Sequence, residues 1–263
     1  MPAMLLSVAL VAYIVGIFLA SLSTFYRMEM ARKSASAVFV LAWSAHLAGG
    51  VWRGVETGRF PLSSMAEYLL FLGLAVMTLH LVLWFGRQIY AAGIVLPPIA
   101  AATGFAGLAM LGTSAAAPVA RPRGWFLFHT TVSTLGMAML VVALAMSVIY
   151  LFQDRALKSR RTLKLLERLP TLDRCDNVGI QALVVGFVLL SVGIAAGVMV
   201  NATLHERFWV PGVKQTLPVL AWLVFAGVLV ARFKLGFRGR KSAYLTITGV
   251  MLGLLTVVGM TTL

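Results

Sequence analysis

Long apolar stretches constrain the fold of this 263-residue chain more than any other feature. The chain is 60% hydrophobic and 11% charged, which excludes an ordinary soluble domain. A membrane-spanning helix needs roughly 20 mostly apolar residues. Eight stretches qualify, at about 3–23, 35–53, 64–85, 89–112, 125–152, 178–201, 215–233 and 243–262. None alternates strictly as a β-barrel strand does, so the sequence predicts an all-α, polytopic membrane bundle with a single transmembrane domain over 1–263. Pro97 and Pro98 lie inside the fourth stretch and predict a kink there.

Basic residues are distributed unevenly between the predicted loops. Sixteen of the 22 Lys and Arg residues fall in the loops after the first, third, fifth and seventh helices, and six fall on the opposite face. Cytoplasmic loops carry such an excess. Both termini and the loops 54–63, 113–124 and 202–214 are therefore predicted to lie outside a bacterial inner membrane. The net charge of +14 is explained by this orientation and by attraction to the lipid bilayer, so we do not expect nucleic-acid binding.

Polar residues cluster where the second predicted helix passes into the third. His46 lies seven residues before Arg53, about 10 Å inside the outer end of its helix. An ionisable side chain within a membrane span is by default a functional candidate. Two interpretations are open for His46: an interhelical hydrogen bond, or a metal or cofactor ligand. The following loop contains Arg59 and Pro61, and Glu67 falls in the first turn of the third helix, where helix capping is favoured over catalysis.

The other three histidines differ in their surroundings. His129 lies four residues after Trp125, so both fall on one helix face near the outer surface. His205 shares an outer loop with Trp209, whereas His80 lies near the inner side and is predicted to be structural. Haem iron takes axial imidazoles, and its propionates pair with cations such as the outer arginines. The sequence has no HExxH motif, cysteine cluster or nucleotide-binding fingerprint that would favour other chemistry.

Several segments resemble one known family. GRFPLSSMAEYLLFLG (58–73) is similar to the GxFPLSNxxESLLFxxW segment of the CcsA-type cytochrome c assembly proteins. WSAHLAGGVWRG (43–54) is similar to that family's helix with a transmembrane histidine, and WFLFHTTVSTLGMAML (125–140) to its segment with an external haem-ligand histidine. The resemblance implies a protein that holds or presents non-covalent, b-type haem near the outer membrane face. It implies His46 as the membrane site, His129 as an external ligand, and apocytochrome c and other assembly membrane proteins as partners.

One motif departs from the pattern of that family. Its tryptophan-rich signature, close to WGxYWxWDPKET, is reduced here to LHERFWVPGVKQT (204–216), in which Trp209, Lys214 and Thr216 still fit. The chain therefore resembles the divergent, HemX-like members. Two other functions stay open: a non-catalytic membrane subunit or regulator without haem transfer, and a small-molecule transporter that uses the region of His46 and Glu67.

Overall fold

The computed structural model describes residues 1–26, 28–111, 124–159, 169–206, 208 and 212–262, without the side chains of 159, 204, 205, 213, 214 and 255–262. Regular structure in these ranges is helical throughout. The helices are α1 (Pro2–Tyr26), α2 (Glu29–Thr57), α3 (Met65–Leu81), α4 (Leu96–Leu111), α5 (Gly124–Ser159), α6 (Leu172–His205), α7 (Val213–Phe233) and α8 (Arg240–Thr262). A π-helical turn (Val82–Gly86) continues α3, and a 3₁₀ helix (Tyr90–Ile94) precedes α4.

The helices are membrane-spanning in length and composition. Seven helical segments in the described ranges are long and apolar enough to cross a bilayer, and α8 adds a further 23 residues. Large apolar side chains such as Val11 and Phe18 of α1 are more than half exposed, as expected where lipid replaces water. The predicted all-α, multi-pass class is confirmed, whereas the location of the termini stays a prediction.

The chain divides into two compact units. Unit 1 contains α1–α4, with α1 packed against α2 and α4, and α3 packed against α4. Unit 2 contains α5–α8, with α5 packed against α6 and α8, and α7 packed against α8. The single transmembrane domain over 1–263 stays a prediction.

The fourth apolar stretch begins a helix at its two prolines instead of bending there. Because α4 begins at Leu96, Pro97 and Pro98 lie in its first turn. The backbone nitrogens of a first turn have no partner within the helix, so proline loses nothing at this position. The predicted kink within a helix over 89–112 is therefore wrong, and residues 90–94 form a separate 3₁₀ helix.

Glycines allow α3 and α4 to approach each other closely. A Cβ atom at Gly73 would lie 2.8 Å from the carbonyl oxygen of Ala100, and one at Gly107 would lie 2.7 Å from the carbonyl oxygen of Ala66. Both neighbours are backbone atoms, which cannot rotate away. Small residues at such contacts are typical of helix packing in membranes.

We predict that Gly107→Ala destabilises unit 1 by about 1–3 kcal/mol, because the added methyl group forces the two backbones apart. The measurement is the thermal unfolding midpoint of the protein in detergent. Gly50→Ala is the matched control, since a Cβ atom there meets nothing within 4 Å. Equal midpoints for the two variants would contradict this packing.

Candidate functional site

A narrow cleft of about 40 Å³ opens in unit 1 beside His46. This volume holds only a few water molecules and lies well below the roughly 300–1,000 Å³ of ligand pockets, so a larger ligand requires the cleft to widen. Three of its lining residues, His46, Arg53 and Glu67, are ionisable. The rest of the wall is apolar and comes from α1, α2, α3 and the loop before α3: Leu6, Gly50, Pro61, Leu70, Phe71 and Leu74. The cleft thus combines an apolar wall with a few polar groups, as binding sites for apolar ligands do.

His46 is buried and is held by a residue of α1. Its Nδ1 lies 3.1 Å from the hydroxyl oxygen of Tyr13, and both residues are at most 2% exposed. The other ring nitrogen, Nε2, is also buried, and no group in the described part of the chain completes a hydrogen bond to it, although the backbone of Leu70 approaches the ring. A buried polar atom without a partner is costly. Nε2 is therefore a candidate ligand for the metal of a bound cofactor.

Tyr13 is a site residue that the sequence patterns above do not single out. It lies in the middle of an apolar helix and is fully buried. A buried tyrosine hydroxyl usually finds a hydrogen-bond partner. That requirement is the signal in the sequence that points to Tyr13, although it does not reveal which residue the partner is.

Glu67 connects the end of α2 to the start of α3. Its fully buried carboxylate accepts hydrogen bonds from Arg53 Nε at 2.9 Å and from Arg59 Nη1 at 3.2 Å. It also accepts one from the backbone N–H of Ser63 at 2.8 Å. The Ser64 hydroxyl caps α3 by accepting from the backbone N–H of Glu67. Two guanidinium groups share one carboxylate, so this corner of the cleft keeps one positive charge in excess.

In unit 2, His129 of α5 is held by the backbone of α6. Its Nδ1–H donates to the carbonyl oxygen of Gly193 at 2.7 Å. Because a carbonyl oxygen only accepts, Nδ1 carries a proton, and in the neutral ring the lone pair is therefore on Nε2. A Cβ atom at Gly197 would lie 3.0 Å from Cε1 of His129, so the absence of a side chain at Gly197 makes room for the ring. Metal-ligating histidines are commonly oriented in this way, through the nitrogen that does not bind the metal.

The remaining candidates are placed as follows. Trp125 is exposed near the start of α5 and packs against Phe128, with ring centroids 6.2 Å apart. His205 is the last residue of α6, but its side chain lies outside the described residues, as does all of Trp209. The structure therefore brings His46, Arg53, Pro61 and Glu67 to one cleft, with Arg59 bound to Glu67, whereas His129 and Trp125 belong to unit 2.

His80 is fully buried in unit 1 between aromatic rings. The ring centroids of Phe39 and Trp84 lie 4.8 and 5.4 Å from that of His80. Neither nitrogen of His80 has a hydrogen-bond partner among the described residues. The described ranges also contain no cluster of three or more His, Cys, Asp or Glu that could hold a metal ion.

Comparison with known proteins identifies the family. Residues 62–263 match the cytochrome C assembly protein family. The chain belongs to this family. It is therefore a membrane protein of cytochrome c assembly. The matched segment includes Glu67 and His129, whereas His46, Arg53 and Arg59 precede it.

Individual relatives agree with this assignment. The cytochrome c biogenesis protein CcsA of Gloeothece citriformis is 28% identical over 253 residues, which covers 78% of this chain and 76% of that protein. CcsA of Guillardia theta is 28% identical over 216 residues, covering 75% and 72%. The solved structure of the cytochrome c heme lyase CcmF shares the fold, with a TM-score of 0.64 and 18% identity. The match covers 96% of this chain and 46% of CcmF.

We predict that Glu67→Gln destabilises the protein by roughly 2–4 kcal/mol, because two arginines lose their shared counter-charge. The thermal unfolding midpoint in detergent measures this loss. Glu56→Gln removes the same charge from an exposed position at the end of α2 and is the matched control. A midpoint for Glu67→Gln within the error of Glu56→Gln would show that the buried ion pairs do not stabilise unit 1.

Proposed function

We propose that this protein holds non-covalent, b-type haem within the membrane and presents it near the outer face for cytochrome c assembly. The observation that carries the proposal is the buried Nε2 of His46, which lacks a partner among the described residues and belongs to a ring that lines an apolar cleft. Bound haem would supply an iron atom that accepts axial imidazole ligands. The family to which the chain belongs supports this assignment.

The side chains around the cleft have the chemistry that such a ligand requires, and the cleft must widen to admit it. Tyr13 holds Nδ1 of His46 and so orients the ring. The apolar wall excludes water, and Gly50 leaves open space where a side chain would project. Arg53 and Arg59 provide the cations that propionate groups require, with one positive charge not matched by Glu67.

His129 is proposed as a second, external ligand. Its hydrogen bond to Gly193 fixes the tautomer in which Nε2 has a free electron pair. Trp125 lies one helical turn before it and offers an exposed aromatic surface. His205 and Trp209 are assigned to the same outer site on the resemblance alone. The proposed partners are apocytochrome c and other cytochrome c assembly membrane proteins. The proposed location is the bacterial inner membrane.

We predict that purified wild-type protein shows a haem band in a reduced-minus-oxidised absorbance spectrum. His46→Ala and His129→Ala should each diminish it, and added imidazole should restore part of the His46→Ala band because it replaces the missing ligand. Gly50→Phe should also lower haem content, since it fills the cleft and leaves every ligand in place. His80→Phe is the matched control and should keep the band, because it removes a buried histidine that lies among aromatic rings.

The same preparations separate the proposal from its alternatives. Wild-type protein without haem, even after haem is supplied during expression, would overturn the proposal and favour a scaffold or regulatory subunit without haem transfer. Cargo-dependent flux in liposomes would instead favour a transporter. A His80→Phe variant that loses as much haem as His46→Ala would show that the loss reports misfolding.

We predict that the end of α2 that contains Glu56 faces outward and that the segment containing Lys234 faces the cytoplasm, as the charge distribution indicates. Glu56→Cys and Lys234→Cys, made in a Cys175→Ser background, place single thiols at these exposed positions. A membrane-impermeant maleimide should label position 56 in intact cells and position 234 only after permeabilisation. The opposite pattern would reverse the proposed orientation, and with it the face at which haem is presented.

A further inference from the structure

A second cavity in unit 1 lies at the opposite end of α2 from the His46 cleft. It has a volume of about 260 Å³ and is lined by basic and aromatic side chains, among them Arg32, Lys33, Trp84, Phe85 and Tyr90. Arg32 and Arg53 are 21 residues apart on one helix, or roughly 30 Å at 1.5 Å per residue. This distance matches the thickness of a bilayer's hydrocarbon core, about 30 Å. The cavity and the cleft therefore lie at opposite membrane interfaces.

The cations of this cavity are only weakly matched by acidic groups. Glu29 contacts both Arg32 and Lys33, but each nitrogen–oxygen distance is 3.5 Å and the carboxylate is exposed. Exposed ion pairs of this kind contribute little. One carboxylate also serves two cations, so the cavity keeps an excess of positive charge that attracts an anion.

Aromatic residues shape the cavity and hold the arginine. The Arg32 guanidinium lies over the ring of Tyr90, 4.9 Å from its centroid. Tyr90 in turn packs edge-on against Trp84, whose indole N–H donates to Ser36 Oγ at 2.8 Å. Stacking on an aromatic face leaves the planar fork of an arginine oriented for bidentate recognition of a phosphate.

Apolar side chains continue from this basic group along the surface that faces lipid. Phe85 lines the cavity and is 55% exposed, and Val82, on the same π-helical turn, is 57% exposed. A ligand that has both a phosphate and hydrocarbon chains satisfies both surfaces at once. Basic pockets between helices on the cytoplasmic side of a membrane are known to bind anionic headgroups.

We propose that this cavity binds the phosphate headgroup of an anionic phospholipid, with Arg32 and Lys33 on the phosphate and the acyl chains lying over Phe85 and Val82. The site is independent of the haem proposal, because it lies at the other end of the span and shares no lining residue with the His46 cleft.

Native mass spectrometry of the delipidated full chain in detergent tests this assignment. Phosphatidylglycerol, phosphatidylcholine and inorganic phosphate are titrated separately. The wild type should bind the first phosphatidylglycerol at least tenfold more tightly than phosphatidylcholine. Arg32→Gln with Lys33→Gln should abolish this preference. Lys234→Gln with Arg238→Gln removes the same charge from exposed positions after α7 and should change the affinity less than twofold.

Arg32→Lys keeps the net charge. It therefore distinguishes a shaped site, which recognises phosphate through the geometry of the guanidinium group, from non-specific electrostatic attraction. A shaped site should lose at least threefold in affinity, because an ammonium group cannot make the bidentate contact. Equal losses in the two double variants, or no loss in Arg32→Lys, would overturn the proposal in favour of non-specific attraction. Displacement of phosphatidylglycerol by millimolar inorganic phosphate would assign the site to a soluble anion. If the Arg32–Lys33 double variant lost haem but kept its lipid binding, the cavity would be assigned to a porphyrin instead.

Discussion

The buried carboxylate of Glu67 is the constraint on which the geometry of the unit 1 site depends. Burying a charge is costly unless it is paired and hydrogen-bonded. Here Arg53 from α2, Arg59 from the loop and the backbone N–H of Ser63 all donate to it. Because Arg53 and His46 are two helical turns apart on α2, the ion pair that fixes Arg53 also sets the rotation of α2 and so brings His46 to the cleft.

His46 and His129 are each oriented by a hydrogen bond at Nδ1, but their partners differ in whether they can donate as well as accept. The carbonyl oxygen of Gly193 can only accept, so His129 has one tautomer. The hydroxyl of Tyr13 can donate or accept, so His46 can take either tautomer without losing its hydrogen bond. A metal at Nε2 of His46 would require Nδ1–H to donate to Tyr13. The neutral ring of His129 is thus fixed in one tautomer, whereas His46 can exchange tautomers within its hydrogen bond to Tyr13.

The sequence predicts the helices well, because a bilayer permits few other structures for apolar stretches of this length. The prediction that Glu67 falls in the first turn of the third helix is confirmed likewise, and Ser64 caps that helix. The pairing of Tyr13 with His46 is different, since the two residues are 33 positions apart. It depends on the register of α1 against α2, which is fixed by contacts such as that of Leu6 with Gly49. No local pattern contains that register, so the contribution of α1 to the site could not be predicted from the sequence.

The charges of the cleft also determine how a ligand can enter it. The excess positive charge lies with Arg53 and Arg59 at one end, where both side chains are about one-quarter exposed. Elsewhere the wall is apolar apart from His46. Under the proposed function, a flat ligand with carboxylates on one edge would have one favourable orientation, because the arginines stabilise anions at one end and the rest of the wall is apolar. In that orientation the carboxylates are closest to the membrane surface and the apolar part is closest to His46.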